Sequence, residues 1–203
     1  MTMITTRRAL ILGAASLPLA SALTAVAKPL PIAVMGPGFQ GATLLIVRHA
    51  EKPVDGMGLT PAGQRRAQAY ANYFTHFTLD GAPIRIDALA ATLDSPKSAR
   101  PRLTLEPLAK ATGMPLQTPF ADKQVSDMAG WVAHQPPGRT TLIAWHHGQI
   151  PNLLAALGAD PGALIPGGVW PNDVYDWVVV LRYDSGGKLV VSKVVHEPQD
   201  LNT

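Results

Sequence analysis

The chain has 203 residues, of which 47% are hydrophobic and 15% are charged, and this composition predicts one globular domain with a sizeable core. Its 17 basic side chains outnumber its 14 acidic ones, but without residues 1–27, which contain two arginines and no acid, the balance is 15 to 14. A nearly neutral domain lacks the basic surface that nucleic-acid binding requires. The absence of cysteine excludes disulfides, thiol catalysis and cysteine–zinc sites.

Residues 1–27 have the pattern of an export signal. Arg7 and Arg8 precede a long apolar run that ends in Ala-Val-Ala, and paired arginines are typical of the twin-arginine route. We expect cleavage after Ala27, a periplasmic or otherwise exported mature protein, and no stable membrane span after cleavage. The alternative is an uncleaved membrane anchor, which Pro18 and the many small residues disfavour because they weaken the run as a span.

The first predicted strand ends in two residues suited to phosphate chemistry. Residues 28–41 are rich in proline and glycine and predict a surface lead-in to a domain that spans 42–203. The apolar run over 43–47 then delivers Arg48 and His49 into a turn. Arginine presents a fork of donors that matches phosphate, and histidine supplies a nitrogen that can act as nucleophile or proton carrier near neutral pH.

Helical and extended patterns alternate along the rest of the chain. Bounded by caps, glycines and prolines, these patterns predict a helix over 60–74, a strand over 86–93, a helix over 99–112, a short extended piece near 116, a helix over 123–134, a strand over 141–145, a helix over 150–157, a loop over 158–173, and a hairpin of strands over 176–183 and 188–195. Strands that alternate with helices form a mostly parallel sheet with right-handed crossovers. We therefore expect a three-layer α/β/α sandwich.

Three predicted strands lead into basic or imidazole side chains. The first ends in Arg48 and His49, the second is followed by Arg100, and the strand over 141–145 ends in His146 and His147. In open α/β folds, ligands bind at the carboxyl ends of the strands. We therefore expect these side chains to form one site.

In these segments the chain resembles the histidine phosphatase superfamily, the phosphoglycerate-mutase-like group. RHAE at 48–51 stands where that family has its Arg-His-Gly signature, and LTPAGQRRAQAYANYF resembles the helix that follows. Arg100, Thr104 and residues 106–108 match its spacing of arginine, threonine and a short apolar helix. HHGQIPNLL resembles its second-histidine motif, in which the spacing selects His146. The resemblance covers about residues 42–195 and implies a phosphoglycerate-mutase-like fold.

The resemblance also implies a reaction. A small phosphomonoester would be hydrolysed after in-line attack by His49 and formation of a phosphohistidine, while Arg48, Arg100 and His146 hold the equatorial oxygens. His147 is a further candidate for substrate binding. No cofactor and no metal are implied, and the chain has no HxH or HExxH motif.

Lys52 is a less specific candidate for substrate binding. It falls four residues after Arg48, where some branches of the family have a second arginine in an extended signature that ends in proline. Here Lys52 precedes Pro53, and lysine would act as a point charge instead of a fork of donors. A solvated lysine without a ligand is the alternative.

The proton donor for the leaving group is the least defined part of the resemblance. The family often supplies a glutamate from the middle segment, or an aspartate directly after the second histidine. This chain has His147 at the latter position and no glutamate beyond Glu106 in the former. The candidates are Asp122, which we favour from its place in the middle segment, Glu51 and Asp127. Lack of an acid typically costs about two to four orders of magnitude for poor leaving groups.

These departures keep a second hypothesis open. Trp145 precedes the second histidine where a small residue is common, so the pocket wall could differ from that of the family. The alternative function is a non-catalytic module that binds a phosphorylated component of the cell envelope. The first hypothesis, a metal-independent phosphatase, requires turnover, whereas the second requires only phosphate affinity.

Overall fold

The computed structural model of the protein describes residues 36–199 and residue 201, and the predicted export signal lies outside them. The strands in this part are β1 (Thr43–Arg48), β2 (Thr78–Leu79), β3 (Ala82–Pro83), β4 (Ala88–Thr92), β5 (Leu116–Phe120), β6 (Thr140–Trp145), β7 (Trp177–Tyr183) and β8 (Leu189–His196). The α-helices are α1 (Pro61–Tyr73), α2 (Arg100–Thr112), α3 (Val125–Ala133), α4 (Ile150–Ala156) and α5 (Pro161–Leu164), and two 3₁₀-helices cover Pro37–Phe39 and Pro166–Gly168.

The main sheet has six strands in the order β5-β4-β6-β1-β7-β8. Strands β5, β4, β6 and β1 are parallel to their neighbours, and the hairpin of β7 and β8 adds two antiparallel strands beside β1. The expected α/β fold with a mostly parallel sheet is thus confirmed. None of the helices in the described residues is long and apolar enough to cross a membrane.

The core lies in two layers, one on each face of the sheet. Along β1, Leu44 and Ile46 pack in a cluster with residues of α3 and α4. Leu45 and Val47 point to the opposite face and pack in a cluster with residues of α1 and α2. A strand that is buried on both faces has no polar positions to alternate with, which explains its continuous apolar run. The three-layer sandwich follows from this double burial.

Two residues of the lead-in, Gly38 and Phe39, are buried, whereas Pro37, Gln40 and Gly41 are exposed, so the prediction of a surface segment over 28–41 is wrong at Gly38 and Phe39. Phe39 is only 1% exposed and its ring centroid lies 4.9 Å from that of Tyr183. Gly38 lies so close to α3 that a Cβ atom there would be 1.9 Å from the carbonyl oxygen of Val132. Proline and glycine here permit close packing, where the composition had predicted exposure.

The predicted loop over 158–173 contains two short helices. Asp160 accepts a hydrogen bond at 2.9 Å from the backbone N–H of Gly162 and caps α5, which begins at Pro161. Ile165 and Trp170 are buried in the core. An aspartate before a proline is the same start signal that Thr60 and Pro61 give to α1, and it could have been recognised in the sequence.

The short hairpin of β2 and β3 was not predicted. Its turn is Asp80–Gly81, and both residues have positive φ, 53° and 79°. Asp-Gly is a strong hairpin signal, but the flanking strands have two residues each, too few to show an alternating pattern. This hairpin lies outside the main sheet.

Candidate active site

The three histidine and arginine segments meet at the carboxyl ends of β1 and β6. These strands pair in parallel with Arg48 opposite Trp145, so the residues that follow, His49 and His146, are neighbours. Their ring centroids are 5.2 Å apart, and the ring of His147 lies 6.3 Å from that of His49. The structure therefore brings together the histidines that the sequence pattern had placed at one edge.

His49 is held in the tautomer that a nucleophile requires. Its Nδ1 lies 2.7 Å from the carbonyl oxygen of Ala50. Because a carbonyl only accepts, Nδ1 carries the proton and Nε2 keeps its lone pair. Burial lowers the pKa of His49 to about 3, the hydrogen bond to Ala50 acts in the opposite direction, and the nearby His146, Arg48 and Arg100 add to the lowering. At neutral pH the ring is uncharged, as in-line attack on phosphorus requires.

His146 is also neutral at physiological pH. Burial lowers its pKa to about 4, with contributions from Arg100 and Arg48, while the carboxylate of Asp122 acts in the opposite direction. His147 has a lowered pKa for the same primary reason, and its Nε2 lies 2.8 Å from the side-chain oxygen of Asn172. The histidines thus form an uncharged group beside buried arginines.

We expect a histidine titration by NMR to show that His49 and His146 remain neutral at pH 5, far below the ordinary pKa of about 6.5. The Hε1 signals can be assigned by comparison with His49→Ala and His146→Ala. Between pH 6.5 and 4, the unfolded chain binds protons that these two buried rings do not. Acidification over this window should therefore lower the free energy of unfolding. Titration midpoints near 6.5 for both signals would contradict the burial that the structure shows.

Arg48 connects the end of β1 to the segment before β7. Its Nη1 lies 3.2, 2.8 and 3.0 Å from the carbonyl oxygens of Pro171, Asn172 and Val174. Its guanidinium carbon lies 3.8 Å from the ring centroid of Tyr175, and Nη2 donates to the hydroxyl of Tyr175 at 3.1 Å. Arg48 therefore holds a backbone segment over the site as well as carrying a positive charge next to His49.

Arg100 closes the opposite side of the site. Its Nη1 donates to the carbonyl oxygen of Gly56 at 3.0 Å, and its charge lowers the pKa values of His49, His146 and His147. Burial lowers the pKa of Arg100, as it does that of Arg48. Arg48 and Arg100 thus act on one region from two sides.

Within the described part of the chain, four buried side-chain polar atoms have no hydrogen-bond partner. They are Arg48 Nε, Arg100 Nε, His147 Nδ1 and Thr92 Oγ1. Three belong to the predicted site residues, and Thr92 is the last residue of β4, at the carboxyl edge of the same sheet. Buried polar groups in native proteins are nearly always paired, and exceptions that cluster mark a site where a polar ligand completes the pairing.

The hydroxyl of Thr104 on α2 links the backbone after His49 to the backbone of Arg100. The backbone N–H of Ala50 donates to Thr104 Oγ1 at 2.8 Å, and Oγ1 donates in turn to the carbonyl oxygen of Arg100 at 2.8 Å. This buried hydroxyl joins the backbone after His49 to the first turn of α2. The relative position of His49 and Arg100 therefore depends on Thr104.

Glu51 forms a buried ion pair behind the site. Arg66 on α1 donates to it in a bidentate manner, with Nε–Oε2 and Nη2–Oε1 distances of 3.2 and 2.9 Å. Arg66 also pairs with the buried Glu197, which accepts a second hydrogen bond from the hydroxyl of Tyr70. Burial raises the pKa of Glu197 to about 7, although Arg66 and Tyr70 act in the opposite direction. These four side chains are hereafter the Arg66 cluster.

Gly63 allows α1 to approach the strand end closely. A Cβ atom at this position would lie 2.5 Å from the carbonyl oxygen and 2.9 Å from the nitrogen of Glu51. The same carbonyl accepts a hydrogen bond from the backbone N–H of Thr60 at 2.9 Å. The backbone of the RHAE segment is therefore fixed by α1 on one side and by Thr104 on the other.

The three candidate proton donors have different surroundings. Glu51 is the partner of Arg66, and Asp127 is exposed and bonded to the side chain of Gln124 at 2.9 Å. Asp122 is half-buried, and its charge acts directly on His146. The indole of Trp145 donates to the carbonyl oxygen of Asp122 at 3.0 Å. Asp122 is thus the candidate whose charge raises the pKa of a site histidine, and the buried Trp145 fixes its backbone.

Sequence reasoning missed Tyr175 and Asn172. Tyr175 stacks on Arg48, and its ring centroid lies 6.5 Å from that of His49. Asn172 orients His147, as described above. The only signal in the sequence was the length and composition of the preceding loop, because neither residue belongs to a motif or a periodic pattern. Lys52, which the sequence predicted to contact the substrate, is exposed, and its positive charge lowers the pKa of His147.

Among the described residues, no group of three or more His, Cys, Asp or Glu side chains is arranged to hold a metal ion.

Sequence comparison and structure comparison gave different results for this chain. No protein-family profile matches the sequence, and no curated protein matches it. The structure of the protein histidine phosphatase SixA complexed with tungstate is similar, with a TM-score of 0.51 and 20% sequence identity over 76% of this chain and 96% of that chain. The chain has the same α/β fold as this protein histidine phosphatase.

Other structures with this fold are similar to the chain at lower scores. A phosphoglycerate mutase from Plasmodium falciparum has a TM-score of 0.47 and 14% identity over 80% of this chain and 92% of that one. A phosphoserine phosphatase from Entamoeba histolytica, solved as a mutant with phosphoserine, has a TM-score of 0.48 and 13% identity over 74% of this chain and 96% of that one. The fold that the sequence motifs predicted is confirmed by the likeness to the SixA structure.

Proposed function

We propose that the protein is a phosphatase that hydrolyses a phosphomonoester through a phosphohistidine on His49, without a metal ion. The observation that carries this proposal is the cluster of unpaired buried polar atoms, with Nε of Arg48 and of Arg100 among them, around a neutral histidine. The similar SixA structure, which is a protein histidine phosphatase and holds tungstate, supports the same class of chemistry.

The residues of the site can supply what phosphoryl transfer requires. The transferred group carries negative charge on three equatorial oxygens, so catalysis depends on positioning and on positive charge. Nε2 of His49 has the lone pair for attack on phosphorus. Arg48 and Arg100 provide cations, and His146 faces His49 at 5.2 Å between ring centroids. In the second step water attacks the phosphohistidine, His49 leaves with its lone pair restored, and inorganic phosphate is released.

The direct test is turnover of para-nitrophenyl phosphate by the purified protein in the presence of a chelator. We expect steady release of nitrophenol that the chelator does not reduce. A loss of activity with chelator, restored by added divalent metal, would contradict the metal-independent mechanism. Phosphate binding without turnover of any ester would instead favour the alternative, a non-catalytic module for a phosphorylated envelope component. One observation favours that alternative: Nη1 of Arg48 already donates hydrogen bonds to three carbonyl oxygens of the loop.

We also propose Asp122 as the proton donor for the leaving group. Two observations support this role: the charge of Asp122 raises the pKa of His146, and the indole of Trp145 donates a hydrogen bond to the carbonyl oxygen of Asp122. The variant Asp122→Asn should lose about two orders of magnitude or more in kcat/KM for an alkyl phosphate, whose leaving group needs a proton. The loss for para-nitrophenyl phosphate should be much smaller, since nitrophenolate leaves unprotonated.

The matched control for Asp122→Asn is Asp127→Asn, because Asp127 is exposed on α3 and interacts with Gln124. It should keep both activities. Equal losses on the alkyl and the aryl ester in Asp122→Asn would contradict the proton-donor role and indicate a role in binding.

The proposed location is the periplasm or another exported compartment. The basis is the pattern of residues 1–27, in which Arg7 and Arg8 precede an apolar run. Intact mass of the exported protein should show a chain that starts at Lys28, and a chain with the apolar run retained would indicate an anchor.

A further inference from the structure

A cavity opens beside the site histidines on the side of Arg100. It has a volume of about 400 Å³ and is formed by residues 52–57 together with the turn before α2 and its first residue. Its charged side chains are three cations, Lys52, Lys97 and Arg100, and one acid, Asp55. Because Arg100 lines this cavity and is also a residue of the proposed phosphate site, the cavity adjoins that site.

The two walls of the cavity are joined to each other by hydrogen bonds. Nη1 of Arg100 donates to the carbonyl oxygen of Gly56 at 3.0 Å. The backbone N–H of Ala99 donates to the carbonyl oxygen of Met57 at 3.0 Å. The segment over 52–57 is thereby attached to the start of α2, so the cavity is defined by backbone contacts on both sides.

The lysine on the far wall is also held in place, and its charge is not neutralised. Lys97 lies in a tight turn in which the backbones of Ser95 and Ser98 exchange two hydrogen bonds, at 2.9 and 3.1 Å. Within residues 36–199 and 201, neither Lys97 nor Lys52 forms an ion pair with an acid. Both ammonium groups are exposed and can accept an anionic partner from solution.

The positive charge here exceeds what one phosphoryl group needs. A phosphate monoester carries at most two negative charges, and Arg48 and Arg100 already supply two positive ones. The cavity adds two further positive charges, on Lys52 and Lys97, and one negative charge, on Asp55, so a net positive charge remains at the mouth of the site. The domain without residues 1–27, in contrast, has nearly equal numbers of acidic and basic side chains. An open cavity with a net positive charge concentrates anionic ligands.

We propose that this cavity binds a second anionic group of the substrate, a carboxylate or another phosphate, separate from the phosphoryl group that is hydrolysed. The substrate class is then a phosphomonoester with two anionic groups. The word substrate rests on the proposed phosphatase function, whereas the binding of the second anion can be tested without turnover.

The test measures binding by calorimetry with phenylphosphonate and with its 3-carboxyl and 4-carboxyl derivatives, which are not hydrolysed. We expect one of the carboxylated ligands to bind roughly tenfold more tightly than phenylphosphonate, as a charge-assisted hydrogen bond would provide. This preference should decrease at high ionic strength. In Lys97→Glu it should be lost or reversed, while the affinity for phenylphosphonate itself stays close to that of the wild type.

The matched control is Lys188→Glu, since Lys188 is an exposed lysine on the turn between β7 and β8, and it should keep the full preference. Equal affinities of the wild type for all three phosphonates, or an unchanged preference in Lys97→Glu, would overturn the proposal. The proposal would also be overturned if none of the three phosphonates bound.

Kinetics with phenyl phosphate and its carboxylated derivatives separate this proposal from the proposed function. Turnover of all esters at equal kcat/KM, together with equal phosphonate affinities, would reject the second anion site and keep the phosphatase. A binding preference that depends on Lys97, together with no turnover of any ester, would keep the anion site and reject the phosphatase.

Discussion

Replacement of His49 by alanine is expected to reduce kcat for para-nitrophenyl phosphate by more than about a thousandfold. Loss of a single electrostatic stabiliser typically costs a hundred- to a thousandfold, and loss of the nucleophile should cost more. His49 supplies an uncharged Nε2 because its Nδ1 is bonded to the carbonyl oxygen of Ala50. No other ring nitrogen in the described site lies on the same strand end, so His146 and His147 should not substitute for it.

A chemical trap makes this prediction independent of the rate. Rapid acid-free quenching with phosphorus-labelled substrate should leave a phosphoryl group on the wild type that is labile in acid, and none on His49→Ala. His134→Ala is the control, since His134 is exposed at the end of α3 and its ring bonds to the carbonyl oxygen of Gly130, away from the site. Near-normal turnover by His49→Ala, or label retained on it, would refute the covalent mechanism.

The second large effect concerns stability. Arg66→Met should lower the free energy of unfolding by about 3–5 kcal/mol, because it leaves Glu51 and Glu197 buried without their cation. Glu197 has a side chain with no solvent exposure, so it cannot recover hydration in the folded state. Urea unfolding of the wild type and the variant, with unchanged dependence on urea concentration, measures the difference directly.

The chain offers a matched control for Arg66→Met. Arg102 also pairs with two carboxylates, Asp94 and Glu106, but its side chain is 36% exposed, against 8% for Arg66. Arg102→Met should therefore cost less than about 1 kcal/mol. The deficit of Arg66→Met should shrink as the pH falls toward about 7, because Arg66 lowers the pKa of Glu197 and the variant therefore takes up this proton at a higher pH than the wild type. Equal effects of the two substitutions would show that the Arg66 cluster does not stabilise the fold.

The elements that the sequence predicted well are those in which local pattern and burial agree. Strands β1 and β6 are continuous apolar runs because both faces of the sheet are covered. Helix α1 begins at Pro61 and is capped by Thr60, a start signal that the local sequence alone contains. Arg48, His49 and His146 were found because each interrupts or directly follows such a run. A polar residue at that position has no role in the core, so its presence indicates a site.

What could not be predicted depends on contacts between distant parts of the chain. Arg66 and Glu197 are 131 residues apart, and each resembles a solvated charge in its local sequence. Tyr175 joins the site because the segment before β7 passes over Arg48, a consequence of where β7 pairs with β1. The burial of Phe39 has the same origin, since it depends on α3 and Tyr183 being in place. Local periodicity contains no information on these pairings.

The way in which Arg48 holds the segment before β7 has a consequence for how this site could change. Its guanidinium binds the carbonyl oxygens of Pro171, Asn172 and Val174, groups that every amino acid provides. The segment is therefore anchored by its main chain, and its side chains are free to be exchanged without loss of the anchor. Libraries that vary residues 171–174 should therefore yield folded proteins with altered ligand preference.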